Sequence, residues 1–430
     1  MSEAGLSIPE QIARSRVILL AFMLVALVLV AVSAVRFQAP ELLGQDKVLT
    51  DFDAFHIAGT LAGRGDVADA YNAATMREVQ AEIASSRSKF MPWTYPPPFT
   101  LFVDGLSRLP IGAAYALFIL TSFGLYLAVL RRIAGDYLPG VLLFMMPTIL
   151  INLRTGQNGF LIAALIGAFL LAWRRQSPAA GFPLGLMIVK PHLAAGVGLL
   201  AMFGQRWNTI AVAALVAAGS LALATLVYGL GVWGAFLGAV EEAGGFLSAG
   251  LYPLSRMNSI YAALYAMGLP AGWAMTGHAL GALAALGLLV WACTATIAFR
   301  YRAAMICALS LFVSPYSYDY DLAILGIGIA FILPDLIAKG RTAELAGLLA
   351  LGWLACGYGA LVSALFAPEM READSIVTTT QNLGWPSLIG PLTIGVCLAV
   401  FRILKPISAQ PANNRPDIQG AHTTKSRKSM

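Results

Sequence analysis

"VILLAFMLVALVLVAVSAV", residues 17 to 35, carries no charge over 19 positions, and its single polar side chain is Ser33. As a helix rising 1.5 Å per residue it spans roughly 28 Å, close to the ~30 Å hydrocarbon core of a bilayer. Arg14 and Arg16 stand just before it, as in a secretory leader. No convincing small-residue cleavage site follows, and the run is long enough to span. It reads as an uncleaved first membrane helix with its amino end in the cytoplasm.

The rest of the chain follows the same pattern. Of 430 residues, 58% are hydrophobic and only 12% are charged, against roughly 25% charged in a soluble domain. Apolar runs recur as far as residue 404, so the fold expected is an all-α polytopic membrane protein, one transmembrane domain over 1–407. The stretch 408–430, rich in Pro, Asn, Thr and Lys, reads as a disordered cytoplasmic tail. Pro, Gly and charge breaks divide the domain into about twelve transmembrane or half-membrane segments. They begin near Val17, Ile111, Tyr137, Phe160, Phe182, Leu193, Ile210, Trp273, Ala303, Leu322, Leu345 and Leu388. The fifth and sixth are short and meet at Lys190 and Pro191, which suggests half-helices that dip in and return.

Charge fixes the expected orientation. With alternating segments, Arg131, Arg132, Arg174, Arg175, Arg206, Arg300, Arg302, Lys339 and Arg341 all fall inside, together with the tail residues Lys405, Arg415, Lys425, Arg427 and Lys428. The short outer turns hold only Arg154, Lys190, Arg256 and Arg371. This is the positive-inside asymmetry, and it places both termini in the cytoplasm of a plasma (inner) membrane protein. The net charge of +6 is a topology signal, not a nucleic-acid footprint. Cys293, Cys307, Cys356 and Cys397 all lie in apolar segments and read as small packing residues.

Under this topology the unusual polar residues collect on the outer face. Asp51, Asp53 and His56 follow the first segment, in "VLTDFDAFHIAG" (48–59). Gln157 and Asn158 follow the third, in "RTGQNG" (154–159), and Lys190 and His192 follow the fifth, in "IVKPH" (188–192). Arg256 and Asn258 follow the seventh, in "SRMNS" (255–259), and Asp319 and Asp321 follow the ninth, in "SPYSYDYD" (314–321). Charge at membrane depth is costly and marks a pathway or a site; at loop depth it is ordinary wetted surface. Lys190 shifts the balance, because it sits between two apolar stretches with no carboxylate nearby in sequence. It requires a distant partner or an anion, and its ammonium could hold a phosphate as a point charge. Asp51 opens a probable helix, where a carboxylate serves equally as a cap or as a general base; Asp53 and His56 are alternatives for the same role.

The long first outer loop, from Arg36 to about Pro110, ends in "MPWTYPPPFTLF" (91–102). Its prolines forbid a regular helix at 96–98, and Trp93, Tyr95, Phe99 and Phe102 suit an interfacial aromatic belt. No phosphate loop, nucleophile elbow, zinc-protease pair or dinucleotide fingerprint is present. Asp319 and Asp321 make only a weak metal signal, so no metal or other cofactor is expected.

These motifs, in this order over most of residues 45 to 325, resemble glycosyltransferase family 87. The resemblance implies a GT-C-like helical bundle with an extracytoplasmic active site. It implies a polyprenyl-phosphate-linked sugar as donor, a lipid or glycan acceptor, membrane lipids as surroundings, and no nucleic-acid partner. The family's catalytic aspartate matches Asp51. Lys190, with Arg154 or Arg256, would hold the phosphate, while Gln157, Asn158, Asn258, Tyr95, Asp319 and Asp321 would complete the substrate site. In a mannose-transferring member the last motif carries a pair of histidines; here it reads "SYDYD". That departure leaves the sugar and acceptor open. The main rival is a secondary transporter or lipid flippase, which would place its polar groups near the midplane instead of on one face.

Overall fold

The computed structural model describes residues 6–84, 90–365 and 386–405. Arg371 and the whole of the expected tail 408–430, including Arg415, Lys425, Arg427 and Lys428, lie outside the described residues. Within them every regular element is a helix, and the only β feature is an isolated antiparallel bridge between Met257 and Tyr318. Six helices have the length and apolarity to cross a membrane: Arg16–Gln38, Ile111–Phe144, Trp207–Tyr228, Ala271–Thr294, Asp319–Lys339 and Thr342–Leu365. Gly159–Arg174, Pro178–Val189, Pro191–Phe203 and Ile389–Leu404 are shorter. The chain is a multi-pass membrane protein.

Local sequence sets where the helices begin. Ser15 caps the first span by accepting from the Ile18 amide at 3.3 Å, and Pro97, Pro110 and Pro270 stand at or just before helix starts, where a missing amide hydrogen costs nothing. The Asp319–Lys339 span is the central post, with Leu322, Ile324 and Ile327 wholly buried. Packed around it are Ile111–Ala134, Gly159–Arg174 and Phe299–Ser310. Trp207–Tyr228 is peripheral: its Leu215 and Leu226 are exposed, as lipid-facing residues of a membrane helix are.

Hydrogen bonds trace the alternation of the spans. Gln38, ending the first span, accepts through its side-chain oxygen from the Gly112 amide at the start of the next, at 3.1 Å. At the far end of both, Arg14 pairs with Asp136 at 3.3 Å. The chain returns to the first end at Gly156, goes back to Trp173, whose carbonyl accepts from Arg206 at 2.5 Å, and comes up between these points to Lys190. The two short stretches do meet at Lys190, where φ −139° and ψ 71° break the helical path between Met187–Val189 and Pro191–Ala194.

Two expectations need correction. Trp93 and Phe99 are 2% and 1% exposed, so they belong to the core and not to an interfacial belt. Their rings lie 5.7 and 5.3 Å from Phe55, and the Trp93 indole donates to Thr100 Oγ1 at 3.0 Å. Of that stretch only Phe102 is well exposed. The outer loop is largely folded, with helices Asp51–Gly63, Ala73–Ile83 and Pro97–Ser107, and the last of these overturns the expectation that the prolines at 96–98 forbid a helix, since Pro97 and Pro98 occupy its first turn, where no amide hydrogen is needed. A further helix, Gly231–Ser248, was not anticipated, because its glycines and the Glu241–Glu242 pair interrupt the apolar pattern.

Candidate active site

The expected polar turns meet at one cavity of about 670 Å³. Asp51, Tyr95, Gln157, Lys190, His192 and Arg256 all line it.

The last turn, 318–321, organises the site. Asp321 Oδ2 accepts from the Tyr318 amide at 3.1 Å and closes a short cap, which leaves Oδ1 to accept from Lys190 Nζ at 2.8 Å. Asp319 takes the Arg256 guanidinium on both oxygens, from Nε at 3.0 Å and Nη2 at 3.1 Å, and also accepts from the Tyr320 amide at 2.9 Å. The Tyr320 ring stands between the two cations, with Lys190 Nζ at 4.7 Å and the Arg256 guanidinium at 5.9 Å from its centre. One turn of the chain therefore holds two of the cavity's cations, Lys190 and Arg256, while Arg77 lines it separately, over the Phe90 ring. The carboxylates lie behind and the cations face the open space.

Neighbouring motifs anchor that turn. The Asn258 amide donates to the Ser317 carbonyl at 2.7 Å, beside the Met257–Tyr318 bridge, which sets "SRMNS" against "SPYSYDYD". Asn152 Nδ2 donates to the Tyr320 carbonyl at 3.0 Å. In "RTGQNG", Gly156 ends its helix at φ +72°, a left-handed conformation suited to glycine, and Gly159 lies so close to the Tyr320 carbonyl that a Cβ would collide with it. Glycine there lets the helix at 159 approach the ion-pair turn.

Asp51 begins the helix Asp51–Gly63, but it is not the cap. Thr50 is the N-cap, and its amide donates to Asp53 Oδ2 at 2.7 Å. Asp53 also pairs with Lys47 at 2.6 Å and is 2% exposed. Because Asp53 serves the cap, the Asp51 carboxylate is free to face the cavity. Its Oδ2 lies 3.7 Å from Arg256 Nη2 and accepts no hydrogen bond among the described residues. Burial alone would lower the Arg256 guanidinium; the Asp319 and Asp51 carboxylates reverse this and raise it, which keeps it charged. Burial raises the phenols of Tyr95 and Tyr318, which remain protonated hydrogen-bonding groups.

Several anticipated residues take other places. His56 bonds the Leu109 carbonyl at 3.0 Å through Nε2, away from the cavity, and Arg154 is exposed outside its lining. Asn158 and Asn258 are fully buried behind the wall, and Asp319 and Asp321 stand one layer back as partners of the cations. Gln157 does reach the cavity, where its Oε1 accepts from the Tyr95 hydroxyl at 3.3 Å. Sequence reasoning missed Tyr252 and the tyrosines at 316, 318 and 320, the last three of which alternate in "YSYDY", a visible sign of an aromatic wall. It also missed the apolar wall of Phe236, Val240 and Phe246, carried by the unanticipated helix. The cavity thus has the Lys190 and Arg256 cations at one wall and a largely apolar helix at another, beside which Arg77 lies over Phe90.

The curated proteins and the solved structures that were compared gave no match. The sequence profile of glycosyltransferase family 87 matches residues 93–315, just over half of the chain, from the aromatic-proline stretch through Gln157, Lys190 and Arg256 to the start of the tyrosine-aspartate turn. With that match over this cavity, the chain belongs to glycosyltransferase family 87 and is a glycosyltransferase built into the membrane.

Proposed function

We propose that the protein transfers a sugar from a polyprenyl-phosphate donor to a hydroxyl of a lipid or glycan acceptor, at the periplasmic face of the plasma membrane with both termini in the cytoplasm. The observation that carries this reading is the shared cavity. An aspartate whose Oδ2 has no hydrogen-bond partner among the described residues, a buried lysine and an arginine face one space, whose other wall is largely apolar. A donor with a phosphosugar head and a prenyl tail has the same two-sided character.

The displacement then runs as follows. The acceptor oxygen attacks the anomeric carbon while the bond from that carbon to the phosphate oxygen breaks, its electron pair leaving with the phosphate. Asp51 accepts the acceptor's proton, and Lys190 stabilises the charge gathering on the polyprenyl phosphate. Arg256, held by Asp319, orients the Asp51 carboxylate. Tyr95 and Gln157 supply hydrogen bonds to sugar hydroxyls. Attack opposite the leaving group inverts the anomeric configuration.

The test is to incubate the purified protein in detergent with a panel of polyprenyl-phosphate sugars and lipid extracts, and to follow sugar transfer. Transfer that vanishes in Asp51→Asn and yields the inverted product is expected. Transfer from a nucleotide sugar, or undiminished turnover in Asp51→Asn, would overturn the reading.

A further inference from the structure

We infer that His192 is a further catalytic residue, which donates a hydrogen bond to the departing phosphate beside Lys190. This inference rests on the donor proposed above.

His192 follows Lys190 by two residues, in the single turn Pro191–Ala194 that joins the two short apolar stretches. Both residues line the same cavity. Lys190 is engaged by Asp321, whereas His192 Nε2 is buried and has no hydrogen-bond partner among the described residues. A buried imidazole nitrogen left unpaired costs free energy, so an occupant of the cavity that pairs with it gains by that amount. The occupant expected at Lys190 is a phosphate, rich in acceptor oxygens. Imidazole offers an N–H in its neutral form and in its protonated form, so the contact needs no change of charge.

The chemistry calls for such a donor. In the donor substrate the phosphate is a diester with one negative charge. When the bond to the anomeric carbon breaks, the electron pair stays on the phosphate oxygen and a second charge develops. The acceptor's proton goes to Asp51, and His192 keeps its own. Lys190 meets that charge already partly satisfied by Asp321. A neighbouring N–H adds stabilisation that grows as the bond breaks, which affects turnover more than donor binding.

The experiment measures kcat and KM for the polyprenyl-phosphate sugar, and inhibition by the polyprenyl phosphate alone, in wild type, His192→Ala and His192→Gln. Loss of one donor to a developing anion predicts kcat lower by on the order of 10²-fold in His192→Ala with little change in KM. Inhibition by polyprenyl phosphate should weaken by about tenfold or more. His192→Gln, which restores an N–H at similar reach, should recover much of both. Melting temperature separates these effects from misfolding, and His192→Gln still decides the matter if His192→Ala does not fold. Wild-type kcat in a folded variant, or a change confined to acceptor KM, overturns the inference while wild-type transfer leaves the proposed function standing. If wild type transfers from no polyprenyl-phosphate sugar, the proposed function fails and this inference falls with it.

Discussion

Two ion pairs in this molecule use similar groups under opposite conditions. Arg341–Glu344 lies three residues apart at a helix start, 2.8 Å long, with the arginine side chain 79% exposed. Lys190–Asp321 is also 2.8 Å long, but it joins residues 131 positions apart, with side chains 7% and 0% exposed. The first contributes little, because water and salt screen it. The second pays a desolvation penalty that its own attraction barely offsets, so it is a poor stabiliser compared with apolar packing. Under the proposed function, a buried lysine kept in such a pair at the wall of a cavity is held there for what enters the cavity.

The largest effect expected belongs to the carboxylate the buried pairs surround. Asp51→Asn should lower the transfer rate by about 10²- to 10⁴-fold, the usual contribution of a general base, with the melting temperature near wild type because Asp51 caps nothing. A rate assay paired with thermal unfolding reads both. Asp321→Asn comes next. It keeps an acceptor for the Tyr318 amide but leaves the Lys190 ammonium buried without its counter-charge, at a cost of about 3–5 kcal/mol. Adding Lys190→Met should return most of the lost stability and none of the activity. Should the double variant transfer sugar normally, the buried pair is structural and the contrast drawn here fails.

Arg256→Lys is a smaller test of the same idea. The charge stays, but an ammonium cannot span both oxygens of Asp319 while reaching Asp51. If Asp51 is the base as proposed, misplacing it by a fraction of an ångström should lower kcat by about tenfold to a hundredfold. Because Asp319 keeps a cationic partner, the melting temperature should fall less than in Asp321→Asn.

The contrast also explains what could be read from the sequence. Spans are legible because each is a local apolar run, and every expected start, from Val17 to Leu388, lies at or near a helix. The helix Gly231–Ser248 escaped because Glu241 and Glu242 break its run, although its apolar face walls the cavity. The meeting of the outer turns followed from alternation alone. What each residue does there did not. Whether Asp51 or Asp53 caps the helix depends on which carboxylate the Thr50 amide meets, and Lys190 finds Asp321 only through the packing of distant helices. Trp93 and Phe99 look alike in a belt or a core until Phe55 is set beside them.

The smallest effect is the control that gives the others meaning. Arg341→Ala removes a bidentate-capable side chain from a helix start, yet the Arg341 backbone amide still donates to Glu344 Oε2 at 3.1 Å, so the turn keeps its cap. Melting temperature and transfer rate should both match wild type, at low salt and at high salt alike. The argument for Lys190–Asp321 depends on burial, not on the count of ion pairs. If removing the exposed arginine destabilised the protein as much as Asp321→Asn, ion pairs in this fold would act alike wherever they lie, and the lysine beside the cavity would need no functional explanation.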